Sequence, residues 1–209
     1  YAENGTLHDV IELERHALSS FDSLTATKKL IIIYGIASGM KYLHENNILH
    51  RDLKPANILM DGKLFPKIAD FGLSKQIHEN EDSMTQQSIA GLKGTPLYIP
   101  PESFITKQQT KSGDVYAFGM IIYELLTLEV PFKNLDFLGL QIELRQGHHP
   151  IFTNPIGKAY QNLIERCWSY DPNERLTFEE IVEELENNPD FITNSIDKND
   201  FLDFVGFIK

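Results

Sequence analysis

The chain has 209 residues, of which 42% are hydrophobic, so it can bury a sizeable core and is not a disordered protein. It carries 30 acidic against 19 basic side chains, a net charge of −11, which argues against nonspecific binding to nucleic acid or to an anionic membrane. The single cysteine, Cys167, excludes an intrachain disulfide and is typical of a reducing compartment. We therefore expect an intracellular, cytoplasmic protein without nucleic-acid partners.

The N-terminus has no starting Met and no apolar signal segment, which suggests a piece of a longer protein. The most apolar windows, residues 30–37 and 115–126, are too short to span a bilayer, so we expect no membrane segment. No internal repeat or interdomain linker is visible.

The predicted elements begin with a short helix, which Thr6 caps with Asp9 as the reciprocal acid and which runs to about Leu13. A long helix over residues 25–45 follows, with apolar residues at helical spacing. Short apolar pieces then predict three small strands, at residues 48–49, 58–60 and 67–69.

Residues 75–94 are polar and without periodicity, which predicts a mobile surface loop. The rest of the chain is predicted to be helical over residues 112–126, 134–146, 158–168 and 177–185. The final residues, 187–209, alternate acids with phenylalanines, and we expect this tail to pack loosely on the surface. The predicted fold class is mainly α with a few short β-strands.

Two motifs carry the chemistry: residues 50–57 read HRDLKPAN, and residues 70–72 read DFG. The Asp52 carboxylate can orient an attacking hydroxyl and accept its proton, and Lys54 can offset the charge of a transferring phosphate. Each triplet alone is common by chance, whereas the complete pattern with two strand-like pieces between is specific.

The same motifs contain oxygen ligands for a metal. Asn57 and Asp70 offer the hard oxygens that magnesium prefers, with phosphates and waters completing its shell. Gly72 allows the sharp backbone turn that would let Asp70 point inward.

With these motifs, residues 1–186 resemble the large, mostly helical C-terminal lobe of eukaryotic protein kinases, and residues 187–209 form a tail beyond it. The resemblance implies a nucleotide-binding transferase of signal transduction that moves the γ-phosphate of ATP, with Mg²⁺, to protein substrates. No Gly-rich loop or ATP-gripping Lys precedes the catalytic loop, so the small N-terminal lobe is expected to be absent from this chain and to belong to its parent.

The resemblance also places the nucleotide. Residues 1–7 resemble the segment after the hinge between lobes, whose backbone, or Glu3 or Asn4, would lie near the ATP ribose. Leu59, above Ile121 and Leu125 of the central helix, would lie under the adenine ring.

Other residues fit supporting and docking roles in that family. Those expected to support the catalytic loop or the lobe are His50, Phe71, Asp114, and Glu102 paired with Arg175. Residues 94–102 resemble the substrate-docking end of the activation segment, with Pro100 where Ala is usual. Lys54 matches the pattern of Ser/Thr-directed members of the family, and Thr95 would contact both Asp52 and Lys54. The resemblance therefore implies Ser/Thr substrates.

The dipeptide Cys167-Trp168 near Arg175 is similar to the tyrosine-kinase-like group of Ser/Thr kinases, although Leu176 departs from the Pro common there. In such kinases, the arginine at the position of Arg51 often contacts a phosphate on the activation segment. The candidate phosphorylation sites in this chain are Ser83, Thr85 and Ser88. An ordinary solvated loop with incidental hydroxyls explains these residues equally well.

Two functions follow from the sequence. In the first, the chain is part of an active Ser/Thr kinase, and the chain by itself is inactive because the phosphate-gripping parts are missing. In the second, the chain is a noncatalytic scaffold or binding module. The intact catalytic loop favours the first.

Overall fold

The computed structural model describes residues 2–16, 24–71, 74–76, 85–86 and 96–209. Their α-helices are α1 (Leu7–Arg15), α2 (Ala26–Glu45), α3 (Pro101–Thr106), α4 (Lys111–Thr127), α5 (Phe137–Arg145), α6 (Lys158–Cys167), α7 (Phe178–Asn187) and α8 (Lys198–Ile208). The strands are β1 (Ile48–Leu49), β2 (Ile58–Met60), β3 (Pro66–Ile68), β4 (Lys75–Gln76), β5 (Thr85–Gln86) and β6 (Gln108–Gln109). Within these ranges, no helix combines the length and the apolar character needed to cross a bilayer.

Helix starts follow the local capping chemistry. Thr6 and Asp9 form the predicted capping box of α1, because the Thr6 hydroxyl accepts from the Asp9 amide and the Asp9 carboxylate accepts from the Thr6 amide. Thr177 and Glu180 form the same box at α7. The Thr25 hydroxyl caps α2 by accepting from an amide of its first turn. These polar side chains fix where each apolar face begins.

The two central helices, α2 and α4, are buried around most of their circumference. Buried residues occupy 13 of the 17 positions of α4, as expected for a helix surrounded by protein. Helix α6 packs on α4, and α7 packs on α2. At Gly119, an added Cβ would lie 2.9 Å from the Cβ of Cys167, so the close approach of α4 and α6 requires glycine there.

Three two-stranded antiparallel pairs complete the described fold. The β2–β3 hairpin pairs Ile58 with Ile68 and Met60 with Pro66. The other pairs are β1 with β4 and β5 with β6. The prediction of an unstructured loop over residues 75–94 is therefore wrong at residues 75–76 and 85–86. Such short strands have no readable period and depend on partners distant in sequence.

The C-terminal tail is also better packed than its sequence predicts. Phe191, Phe201 and Phe204 are each at most 4% exposed and belong to the core, so the expectation of loose surface packing is wrong for them. Phe207, in contrast, is 76% exposed. Residues three apart on a helix share a face, so Phe201 and Phe204 enter the protein together once α8 forms.

Candidate active site

The loop of residues 50–57 connects β1 to β2 and is held by the first turn of α4. One carboxylate oxygen of Asp114 accepts from the His50 amide at 3.0 Å, and the other accepts from the Arg51 amide at 2.9 Å. The His50 ring is fully buried, and its Nε2 lies 3.0 Å from the carbonyl oxygen of Ala69. A buried carboxylate that accepts two backbone hydrogen bonds fixes the start of the loop.

The sequence-predicted residues Asp52, Lys54 and Asn57 meet in one cluster. The Lys54 ammonium lies 2.8 Å from Oδ2 of Asp52, and Nδ2 of Asn57 donates to the same oxygen at 2.9 Å. Asn57 also donates to the Asp52 carbonyl oxygen at 2.7 Å and is only 6% exposed. These contacts hold the carboxylate in one orientation beside a positive charge.

The open end of the β2–β3 hairpin brings Asp70 to the same place. The Ala69 amide donates to the Asn57 carbonyl at 2.9 Å, which extends the pairing of Ile58 with Ile68 by one step. Asp70, the next residue, has a left-handed backbone with φ of 59° and is exposed. Asn57, directly before β2, and Asp70, two residues after β3, therefore lie at the same end of the hairpin.

The residue after Asp70 packs on the catalytic loop. The Phe71 ring centroid lies 5.8 Å from that of His50, and Phe71 is 49% exposed. Gly72, the predicted turn residue, lies outside the described residues. In the described part of this turn, Asp70 adopts the left-handed conformation, which Asp tolerates better than most residues.

The N-terminal segment runs along β2, next to the proposed adenine position. The Met60 amide donates to the Gly5 carbonyl at 2.9 Å, and Thr6 forms a bridge with Leu59, which is half-buried. The side chains of Glu3 and Asn4 contact the turn at residues 61–62 instead of the open end of the hairpin. Backbone atoms of this segment are therefore better placed than these side chains to contact a nucleotide.

The donor set suits a magnesium ion that is shared with phosphates. Asn57 uses its amide nitrogen toward Asp52, so its carbonyl oxygen is the atom suited to a cation, and Asp70 supplies a carboxylate. Among the described residues, no group of three or more His, Cys, Asp or Glu side chains could form an all-protein metal cage. One amide and one carboxylate fit a cation that keeps several waters and binds through substrate phosphates.

A buried ion pair joins α3 to the segment before α7. The two terminal guanidinium nitrogens of Arg175 contact the Glu102 carboxylate, at 2.7 and 2.9 Å, and the Arg175 side chain is 0% exposed. Arg175 also donates to the carbonyl oxygens of Ser169 and Ser112. Thr95, the predicted contact of Asp52 and Lys54, lies outside the described residues.

A small cavity of about 30 Å³ lies between the catalytic loop and the start of α4. Its lining includes Asp52, Tyr98, Pro100 and Thr110. Tyr98 and Pro100 of the predicted docking segment therefore lie beside the loop that carries Asp52.

Arg51 lies close to the segment that holds the candidate phosphorylation sites. The Gln109 side chain donates to the Arg51 carbonyl oxygen at 3.0 Å, and Gln109 pairs with Thr85 in the β5–β6 ladder. Burial lowers the pKa of the Arg51 guanidinium, an effect that the charge of Asp114 opposes. Ser83 and Ser88 lie outside the described residues.

The family assignment comes from the sequence comparison. A family model described as the protein kinase domain matches residues 1–185. The chain belongs to the protein kinase family. The resemblance drawn from the catalytic motifs is thereby confirmed, and so is the mainly helical fold class.

Similar kinases come from an amoebal virus and a social amoeba. The chain is 34% identical, over 88% of its length, to a protein of Acanthamoeba polyphaga mimivirus that carries the name of a serine/threonine-protein kinase/receptor. It is 36% identical, over 90% of its length, to a Dictyostelium discoideum protein named as a serine/threonine-protein kinase. It is also 39% identical, over 72% of its length, to a dual specificity protein kinase of Dictyostelium discoideum. The chain spans 11%, 19% and 30% of these three proteins, respectively.

Sequence reasoning missed one residue of this kinase site. His44, at the end of α2, places its Nε2 2.9 Å from Oδ2 of Asp114, and its ring packs edge-on against Phe178. Lys111 donates to the His44 carbonyl oxygen at 2.6 Å. His44 thus helps to hold the carboxylate that holds the loop. No motif marks it, because it lies on a core helix outside the catalytic pattern.

Proposed function

We propose that this chain forms the large lobe of a protein kinase that transfers the γ-phosphate of ATP to serine and threonine hydroxyls of protein substrates. The observation that supports this most directly is the convergence of Asp52, Lys54 and Asn57, with Asp70 at the neighbouring end of the hairpin. All four residues on which the proposed phosphoryl transfer depends in this lobe are present. A scaffold function does not require this arrangement.

In the proposed reaction, Asp52 accepts a hydrogen bond from the substrate hydroxyl, aligns it with the phosphate and takes its proton. Lys54, 2.8 Å from Asp52, offsets negative charge on the transferring phosphoryl group. Asn57 and Asp70 would hold Mg²⁺, which when bound neutralises charge on the ATP phosphates. Leu59 and the backbone near Gly5 would contact the nucleotide.

The preference for Ser and Thr rests on Lys54, which lies 2.8 Å from the proposed base Asp52 and is typical of the Ser/Thr-directed pattern that the catalytic loop resembles. Because two similar proteins are named dual specificity kinases, tyrosine is the acceptor against which the preference for Ser and Thr is tested. The assignment to the tyrosine-kinase-like group belongs to the same proposal and rests on Cys167-Trp168.

The decisive experiment replaces Asp52 by Asn in the full-length protein that contains this chain. Asn keeps the size of the side chain but cannot take the proton, so kcat should fall by about 10²–10⁴-fold. The melting temperature should stay close to that of the wild type. Phosphate transfer is measured on three peptides that differ only in a Ser, Thr or Tyr acceptor.

The matched control is Asp190→Asn, which makes the same change at an exposed carboxylate in the tail. Near-normal turnover of Asp52→Asn would overturn the assignment of the base. Equal transfer to the Tyr peptide would replace Ser/Thr specificity by dual specificity. A wild-type protein that transfers no phosphate to any peptide or protein mixture would favour the scaffold function.

Thr85 is the candidate phosphorylation site whose backbone the structure describes. Its pairing with Gln109, whose side chain contacts Arg51, links its strand to the catalytic loop. A phosphate near Arg51 would offset the cost of burying that guanidinium and order the segment. Thr85→Ala should lower activity, with phosphate located by peptide mass spectrometry, and Ser83→Ala and Ser88→Ala test the other two candidate sites. Unchanged activity of the triple variant would contradict a phosphate switch in this segment.

A further inference from the structure

The C-terminal helix α8 lies outside the part of the chain that the kinase family shares. The family model matches residues 1–185, whereas α8 spans Lys198–Ile208. Yet Phe201 and Phe204 of α8 are 2% and 4% exposed and belong to the same core as α2 and α4. A segment added beyond the common domain is therefore built into the lobe.

The contacts of α8 join two separate elements, α2 and the β2–β3 hairpin. Phe201 packs edge-on against Tyr34 of α2 at 5.5 Å, and Phe204 packs against Tyr34 at 6.3 Å and against Phe65 of the hairpin turn at 4.6 Å between ring centroids. Aromatic pairs at such distances add to the stabilisation that burial provides.

Gly35 of α2 shows how closely these elements approach. A Cβ added there would lie 2.6 Å from Cγ of Pro66 and 3.1 Å from Cζ of Phe204. Helix α2, the β2–β3 hairpin and α8 therefore meet at Gly35, where Pro66 and Phe204 occupy the space that a larger side chain would need.

Polar contacts fix the start of the tail helix and its last residue. The Asp197 amide, at the N-cap of α8, donates to the Thr27 hydroxyl at 2.8 Å. The Lys209 ammonium lies 2.7 Å from the Glu186 carboxylate, which also accepts from the Tyr34 hydroxyl. The helix is thus tied to α2 at its start and to Glu186 of α7 at its end.

The hairpin that α8 contacts is the one that carries the proposed magnesium ligands. Phe65 and Pro66 lie at its closed end, and Asn57 and Asp70 lie at its open end. Each strand residue advances about 3.3 Å, so roughly 10–13 Å separates the closed end of the hairpin, where Phe204 packs, from its open end. A hairpin with two three-residue strands has little stability of its own and takes its position from its neighbours.

We propose that α8 is a positioning arm for the nucleotide site: Phe204 clamps the closed end of the β2–β3 hairpin onto α2 and so fixes the metal ligands at its open end. This rests on the proposed kinase function only for the identity of the ligands. The mechanical part, that the tail controls the order of the open end, stands on the packing alone.

Hydrogen exchange tests the mechanical part without any activity assay. The Ala69 amide donates to the Asn57 carbonyl and reports on the open end, and the Trp168 amide at the end of α6 serves as a reference distant from α8. In the full-length protein, Phe204→Ala should make the Ala69 amide exchange at least about tenfold faster, relative to Trp168. The matched control is Leu202→Ala, which truncates an apolar residue of the same helix that is 49% exposed.

A second variant and a binding assay complete the test. Phe204→Leu keeps most of the volume but removes the aromatic contact, so it should show the same selective effect, smaller in size, if Phe204→Ala does not fold. MgATP should bind about tenfold more weakly to the variant than to the wild type, measured by calorimetry. Equal acceleration at Ala69 and Trp168, or no acceleration at either, would overturn the positioning arm. Selective acceleration in a protein that binds no MgATP would keep the arm and reject the kinase function.

Discussion

At the scale of single residues, the site is built on two non-glycine residues with left-handed backbones. Arg51 has φ of 73° and precedes the proposed base Asp52. Asp70 has φ of 59° and is itself a proposed metal ligand. Lys107 and Leu128 adopt the same conformation as ordinary helix C-caps. At Arg51 the cost, on the order of 1–3 kcal/mol, is offset by the hydrogen bond of its amide to Asp114.

Asp70 gives a prediction at this scale. Asp70→Asn removes the charge while the new side chain tolerates the left-handed backbone, so the fold should remain. The gain in ATP affinity that Mg²⁺ provides should fall by about 10–100-fold, a typical loss for a damaged metal site. Calorimetry with ATP, in Mg²⁺ and in a chelator, measures this gain.

The companion variant Asp70→Ala should lose the same binding and also some stability, because Ala does not favour this conformation. Asp190→Asn is again the control. An unchanged difference between the Mg²⁺ and chelator titrations of Asp70→Asn would remove Asp70 from the proposed metal site.

At the scale of elements, buried charges connect helices that lie far apart in the sequence. Asp114 of α4 holds the loop after β1 and contacts His44 of α2. Glu124, in the last turns of the same helix, contacts Arg15 of α1 and the Tyr98 hydroxyl. Both carboxylates are at most 4% exposed, and each meets polar groups from more than one element. Helix α4 thus organises the lobe through these buried acids as well as through apolar packing.

The Glu102–Arg175 pair gives a prediction at the scale of elements. Arg175→Ala leaves Glu102 without its partner, and breaking a buried pair on one side costs about 3–5 kcal/mol of unfolding free energy. Urea unfolding, followed by circular dichroism, measures this loss. We expect the effect on the lobe to be structural, because Arg175 contacts none of the proposed catalytic groups in the described structure.

Arg166→Ala is the matched control. The Arg166–Glu184 pair has a comparable distance, 2.6 Å, but it makes a single contact and the Arg166 side chain is 43% exposed, so its loss should cost less than about 1 kcal/mol. If both arginine variants lost similar stability, burial would not be what distinguishes the Glu102–Arg175 pair.

At the scale of the whole molecule, one connected core joins residues from α1 to α8. Cys167 lies within it, 0% exposed, and its Cβ faces Gly119 of α4. Burial raises the pKa of its thiol, so the reactive thiolate is suppressed as well as shielded.

Cys167 should therefore report global unfolding. In native buffer, an aromatic disulfide reagent should label it at least about 10³-fold more slowly than in denaturant, because reaction waits for the rare unfolded state. Across a urea series, the labelled fraction at short times should follow the unfolding curve measured by circular dichroism. Fast labelling of a protein whose circular dichroism is native would show that α6 opens locally.

The amino-acid sequence by itself determined most helix starts and contains the motifs on which the proposed chemistry rests. The residues of the catalytic loop lie within eight positions, and the capping boxes at Thr6 and Thr177 span four residues each, so local spacing is sufficient to predict them. The hairpin was equally readable, since two short apolar pieces flank a turn.

Only the tertiary structure decided which distant groups support that chemistry. His44 contacts Asp114 across 70 positions of sequence, and Asp197 contacts Thr27 across 170. Strands β4 and β5 form on partners elsewhere in the chain, and Phe201 and Phe204 are buried because they pack against Tyr34 and Phe65. Such contacts depend on how packed elements meet, and no local pattern of residues records that.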